Sequence, residues 1–258
     1  MTPTTKNFSI GITAILLLFA ISLFLKKDDS CTNPSGKVVI IIDKTEWIGK
    51  DTASAIVKHS KELITNTLPN TLISIRYLKS DGLSGEKIVT CRPKRPDATT
   101  GIADNEQKVI QQYKQFLIKF EKDLEQDIPT QSASPIYSSI IDAAREEFIG
   151  IQGDKKLVIF SDFKEFTPGK TDLHTQCLDS ELGRTNVISN LLIGVKDKPL
   201  NGITSYRYMI LRNNMNRTSQ RCLESVSDQI FNELSGSKTL ELPQIIPLPI
   251  SNSYRNYK

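Results

Sequence analysis

The chain has 258 residues, of which 38% are hydrophobic and 24% charged, with a formal net charge of +4. That composition suits one mid-sized globular domain plus a targeting element. Lys and Arg are interspersed with acidic residues rather than clustered, so the chain carries no nucleic-acid footprint.

After a short tail (residues 1–7), Phe8 to Leu25 is an almost uninterrupted apolar run. As a helix, about 18 residues rise by roughly 27 Å, close to the hydrocarbon thickness of a bilayer. The run therefore reads as a single transmembrane helix. No small-x-small cleavage site precedes Lys26-Lys27-Asp28-Asp29, which favours an uncleaved signal anchor. Lys6 on one side and Lys26 with Lys27 on the other leave the positive-inside rule nearly tied. All four cysteines, Cys31, Cys91, Cys177 and Cys222, lie beyond the anchor. Their even number is compatible with two disulfides in an oxidising compartment, with three pairings open and four buried thiols as the alternative.

Residues 26–36 form a linker rich in turn formers, and an alternation of elements follows. Lys37 to Asp43 is a strand of apolar residues ending on an acid. Asp51 is expected to cap a helix with Ala55, Ile56, Leu63 and Ile64 on its inner face. Leu72 to Leu78 reads as a strand ended by Ser80-Asp81-Gly82. Residues 85–130 look inserted: Ile88 to Pro96 is too basic and proline-rich for an inner strand. The amphipathic helix Asn105 to Gln126 follows, its stripe of Val109, Ile110, Tyr113, Phe116, Leu117, Phe120 and Leu124 read as core, with partner binding the minority alternative. Pro135 stands at the start of another helix, and Lys156 to Phe160 is a strand running into Ser161-Asp162-Phe163. Phe163 to Asn186 reads as irregular, and Val187 to Val195 is apolar but unassigned. Tyr206 to Arg212 reads as a strand, Thr218 to Leu234 as a helix stopped by Gly236, and Thr239 to Leu242 as a last strand. The tail, residues 243–258, is punctuated by Pro243, Pro247 and Pro249.

This alternation predicts an α/β fold: an open, mostly parallel, doubly wound, Rossmann-like sheet over residues 37–242, preceded by one transmembrane helix. In such sheets ligands bind at the carboxyl edge, where the loops bearing Asp43 and Asp162 would meet. Enzymatic signatures are thin. A dehalogenase-type phosphohydrolase needs a second acid two residues after its first Asp, and that position is Thr45. The two histidines, His59 and His174, support neither a triad nor a histidine-ligated zinc site, and no Gly-rich phosphate loop follows a strand.

The order strand, Asp43-x-Thr45, helix, strand, then Ser134-Pro-Ile-Tyr-Ser-Ser-Ile140, then strand and Ser161-Asp162 resembles the von Willebrand factor A-type domain. It is similar in particular to bacterial membrane-anchored versions. The resemblance implies a metal-ion-dependent adhesion site built from Asp-x-Ser-x-Ser, a Thr and an Asp. Carried over residue by residue, it makes Asp43, Thr45, Ser134 and Asp162 candidate metal-binding residues, with Mg²⁺ as the cofactor. Trp47 stands where the last Ser belongs, and an indole offers no oxygen. Mg²⁺ takes hard oxygen ligands and retains waters, so four side chains leave room for a partner's acidic group. The resemblance thus implies a non-enzymatic, periplasmic protein-binding or assembly module of the cell envelope, with no small-molecule substrate. The alternatives are a structural subunit with a vestigial site and an Mg²⁺-dependent phosphohydrolase.

Overall fold

A computed structural model describes residues 31, 33–98, 104–126, 130–173, 181–211, 215, 217–236 and 246–248. At its centre is β1 (Gly36–Asp43), buried along its whole length. Successive side chains of a strand point to opposite faces, so Val39 and Ile41 enter one core while Val38, Ile40 and Ile42 enter the other. A strand buried on both sides has to be apolar at every position, which is why it reads as a run rather than an alternation.

Helix α1 (Lys50–Thr65) leads from β1 to β2 (Thr71–Lys79), and a tight turn leads on to β3 (Gly82–Cys91). Helices α2 (Asp104–Glu125) and α3 (Ile136–Glu147) precede β4 (Asp154–Ser161). A small antiparallel hairpin follows, β5 (Phe166–Thr167) with β6 (Thr171–Asp172). Then come α4 (Glu181–Leu191), β7 (Thr204–Ile210), α5 (Arg217–Ser235) and β8 (Ile246–Leu248). The main sheet has the order β3-β2-β1-β4-β7-β8. Its pairs are parallel except β2 with β3. Residues of α1 and α2 cover one face, and those of α3, α4 and α5 cover the other.

The observed elements refine several expectations. Asp51 stands in the first turn of α1, where its charge still suits the helix dipole. The N-cap position is Gly49, whose φ of 80° a glycine adopts without steric penalty. The segment 85–130 begins as part of β3, an edge strand antiparallel to β2, and ends as a helix whose Ile110, Tyr113, Phe116, Phe120 and Leu124 are buried. Its stripe is therefore core. The unassigned stretch from Val187 begins within α4. The expected strand Thr239 to Leu242 lies outside the described residues. The sixth strand is β8, within the tail, where Pro247 is tolerated because an outermost strand needs no second row of ladder bonds.

Cys31 is joined to Cys91, across 60 residues, and Cys222 is also disulfide-bonded. Among the described residues no cysteine is free, so the buried-thiol alternative does not apply to them. Cys177, His174 and the apolar run Phe8 to Leu25 lie outside the described residues. Among those described, no helix is long and apolar enough to cross a membrane.

Candidate functional site

Because β1 and β4 are adjacent and parallel, with Ile42 opposite Phe160, both release their chains at the same edge of the sheet. Asp43 and Ser161 are thereby placed side by side, and the Ser161 hydroxyl donates to Asp43 Oδ2 at 2.8 Å. The other carboxylate oxygen, Oδ1, accepts from the Thr45 N–H at 3.0 Å and from the Thr45 hydroxyl at 2.6 Å. Asp43 is only 1% exposed. Three donors make burial of its charge tolerable, since hydrogen bonds to an ionised carboxylate are the strong ones.

Ser134 arrives on the loop before α3, and that loop is tied in twice. The Gln131 N–H donates to the Thr45 carbonyl at 2.7 Å, while the Gln131 side chain accepts from the Ser80 N–H. Ser134 and Phe166 exchange backbone hydrogen bonds of 2.7 and 3.1 Å, which link this loop to the one after β4. The Ser134 hydroxyl oxygen lies 3.2 Å from that of Thr45. Both residues line an open cavity of about 280 Å³, whose walls also include the half-buried Glu46 and Asp172.

Of the four residues expected at the site, Asp43, Thr45 and Ser134 form one hydrogen-bonded unit. Asp162 is one residue beyond Ser161 and nearly buried; its Oδ1 accepts from the Lys164 N–H at 3.0 Å, and it does not line the cavity. Trp47 is half-buried after the first loop. Lys44 turns away, its ammonium on the Asp123 carbonyl and over the Tyr77 ring, and burial pushes its pKa down. Phe163 holds φ 58°, a left-handed conformation uncommon for a bulky residue, and its N–H is bonded to the Ser161 hydroxyl at 2.9 Å. Strained backbone of this kind collects at functional loops.

Two participants were not among the expected site residues. Ser161 carries the contact between the two loops. Glu165, 2% exposed, turns back to the N-terminus of α3: its Oε2 accepts from the Tyr137 N–H at 3.0 Å, and its Oε1 from the Thr167 hydroxyl at 2.7 Å. The signal for Ser161 was present in the sequence as the hydroxyl directly before Asp162. Nothing local marks Glu165, because the helix it caps begins 29 residues earlier.

Burial pushes the Glu165 carboxyl above its usual range, opposed by the bonds to Thr167 and the α3 backbone and reinforced by the charge of Asp43. A carboxyl whose pKa is raised by folding contributes stability below its unfolded value, near 4.5, and loses it as pH rises through the folded value. Glu165→Gln is therefore expected to gain stability relative to the parent as pH rises above the ordinary glutamate range. Thermal melts of both proteins across that range check this; a difference that stays flat with pH would show that the ionised carboxylate carries no penalty.

The expected residues offer only oxygen donors, the kind a small hard cation takes, and among the described residues no group of three His, Cys, Asp or Glu is placed to hold a metal ion. Ligands adjacent on an octahedron about 2.1 Å from Mg²⁺ lie roughly 3 Å apart, which the spacing of Thr45 Oγ1 and Ser134 Oγ approaches. The Thr45 hydroxyl has one proton; donated to Asp43, it leaves the oxygen's lone pairs to accept from the Ser134 hydroxyl or to face a cation.

An open sheet of order β3-β2-β1-β4-β7-β8 with an antiparallel β3, carrying Asp43-x-Thr45, Ser134 and Ser161-Asp162 in tied loops at one edge, is the arrangement expected from the resemblance to the von Willebrand factor A-type domain. No family model and no curated protein matches the chain. Among solved structures, it is similar to the conserved hypothetical protein BatB from Bacteroides thetaiotaomicron, at 12% identity and a TM-score of 0.41 over 84% of this chain and 92% of that one. It is similar to an aerotolerance-related membrane protein from Bacteroides fragilis at 12% identity and a TM-score of 0.37, over 84% and 92% of the two chains. A third is a von Willebrand factor type A protein from Catenulispora acidiphila, at 10% identity and a TM-score of 0.36, over 78% and 43%. The fold assignment rests on the chain's own strand order and loops.

Proposed function

We propose that the chain is a membrane-anchored recognition or assembly module of the cell envelope, held by residues 8–25 with its domain outside the cytoplasm, and that its carboxyl edge binds a protein partner with the help of Mg²⁺. The observation that carries this reading is the pair of hydroxyl oxygens, Thr45 and Ser134, 3.2 Å apart in the wall of an open cavity and backed by a buried carboxylate. In this reading Thr45 and Ser134 face the cation. Asp43 supplies charge and aligns Thr45, and Asp162 contributes through water. A bound Mg²⁺ polarises whatever oxygen completes its shell, so a partner's acidic side chain is the matching group. The disulfides agree with an oxidising compartment.

The metal itself is the probe. A ligand that binds only the folded state raises its stability by mass action, so added Mg²⁺ should raise the melting temperature of the parent and chelator should reverse the gain. Ser134→Ala and Asp43→Asn should both lose the response. A parent whose melting temperature ignores Mg²⁺ and chelator alike would end the metal-assisted reading.

One observation favours a second reading, a structural subunit with a vestigial site: both oxygens of Asp43 are already satisfied by protein donors, and Trp47 replaces a hydroxyl. The same experiment separates the two. The phosphohydrolase alternative gains nothing from these contacts, since Asp43 is engaged on both oxygens and buried.

A further inference from the structure

The edge of the sheet opposite Asp43 has its own character. In a parallel sheet every connection from a helix into the next strand lies at the amino edge, and three of the most exposed large apolar side chains lie on such connections. Leu68, between α1 and β2, is 57% exposed; Ile149, between α3 and β4, 78%; Ile193, between α4 and β7, 76%. Single exposed apolar residues are normal on a protein surface, but these share one edge. The connections at that edge, residues 66–70, 92–98, 148–153 and 192–203, carry Arg92, Lys94, Arg95, Lys196 and Lys198 against Asp97 and Asp197 in the same segments; Arg95 is ion-paired with Glu106, Lys198 with Glu233 and Asp197 with Arg145.

The chain also enters the domain at this edge. Cys31 is bonded to Cys91 at the end of β3, and β3 runs antiparallel, so its end lies beside the start of β2, with Leu72 opposite Cys91. The disulfide leaves only residues 26–30 between the apolar run ending at Leu25 and a fixed point on the domain. Even fully extended, that stretch spans at most roughly 20 Å. It includes Lys26 and Lys27.

We propose that the amino edge rests on the lipid headgroups, with Leu68, Ile149 and Ile193 dipping into the interface and the surrounding basic side chains facing anionic lipid. The proposal rests on residues 8–25 being the membrane anchor. Its consequence is an orientation: the tied loops of Asp43, Thr45 and Ser134 point away from the bilayer, toward a partner.

Trp47, the single tryptophan of the chain, follows the first loop at the far edge and serves as an internal reference. The full chain, and its Ile149→Trp and Ile193→Trp variants, would be reconstituted in vesicles of phosphatidylcholine and phosphatidylglycerol, with and without brominated acyl chains. Both positions are exposed, so a larger side chain has room. The expected result is that the emission added by each new tryptophan is quenched by brominated lipid, while the Trp47 emission of the parent is unchanged. A chain that floats with the vesicles yet shows both new tryptophans unquenched overturns the orientation and leaves the anchor standing. A chain that does not float overturns the anchor and the orientation together. New tryptophans shielded from aqueous iodide but untouched by brominated lipid would assign the edge to a protein or a second copy instead, and the lipid proposal falls.

Discussion

Replacing Glu147 by Gln is expected to destabilise the domain by about 3–5 kcal/mol, the range for removing one partner from a buried ion pair. Glu147 ends α3 under the sheet, where its Oε2 accepts from Lys37 of β1 at 2.7 Å and its Oε1 from Arg76 of β2 at 2.5 Å. Arg76 also donates to the Ser84 carbonyl of β3 at 3.0 Å, and Lys87 approaches to 3.5 Å. All three central side chains are nearly buried. A neutral amide leaves two desolvated cations facing each other with no counter-charge, which is why the penalty exceeds that of a surface pair.

The effect carries a pH signature. Burial alone would raise the Glu147 carboxyl, but its bonds to Lys37 and Arg76 and the charges of Lys37 and Lys87 outweigh that and hold it below its usual range. A depressed carboxyl contributes stability above its unfolded value, near 4.5, and loses it as pH falls through the folded value. The gap between parent and Glu147→Gln should therefore be full near neutrality and shrink in acid. Denaturant titrations at both conditions measure it; a gap under about 1 kcal/mol at neutrality would mean that the cluster behaves like a solvated one.

Removing the Cys31–Cys91 link is expected to be comparably severe. The bridge closes a loop of 60 residues, and the chain-entropy model assigns such a loop about 4 kcal/mol. Those residues comprise β1, α1, β2 and β3, four consecutive elements on one side of the fold, so the unfolded chain loses freedom where the sheet is assembled. The double variant Cys31→Ser/Cys91→Ser keeps the bond at Cys222 and isolates this one. Its denaturant midpoint should fall sharply; an unchanged midpoint would mean that the reduced chain is already restricted in that region.

Much of the site was legible before any coordinates, and the reason is local. A strand buried on both faces must be apolar throughout, so Val38 to Ile42 and Leu157 to Phe160 identify themselves, and the residues that end them, Asp43 and Ser161-Asp162, fall at one edge. Ser134 could be placed there only through the resemblance in its motif, and the exchange with Phe166 is what holds it. Glu165 escaped because its role is defined by a helix remote in sequence, and the same is true of Glu147, whose partners sit 110 and 71 residues away.

The sequence alone determined the inner strands, the inner faces of α1 and α2, and the acidic loop tips, because burial imposes a period on neighbouring residues that any chain section records; it left the hairpin of β5 with β6 and the helix α4 unassigned. Only the tertiary structure decided that Gly82–Cys91 is the antiparallel edge, that Ile246–Leu248 pairs with β7 in the main sheet, and that Cys31 pairs with Cys91. Short edge strands and cysteine pairs have too little local preference to choose for themselves. Their partners are selected by the assembled sheet, whose pairing free energy is non-local.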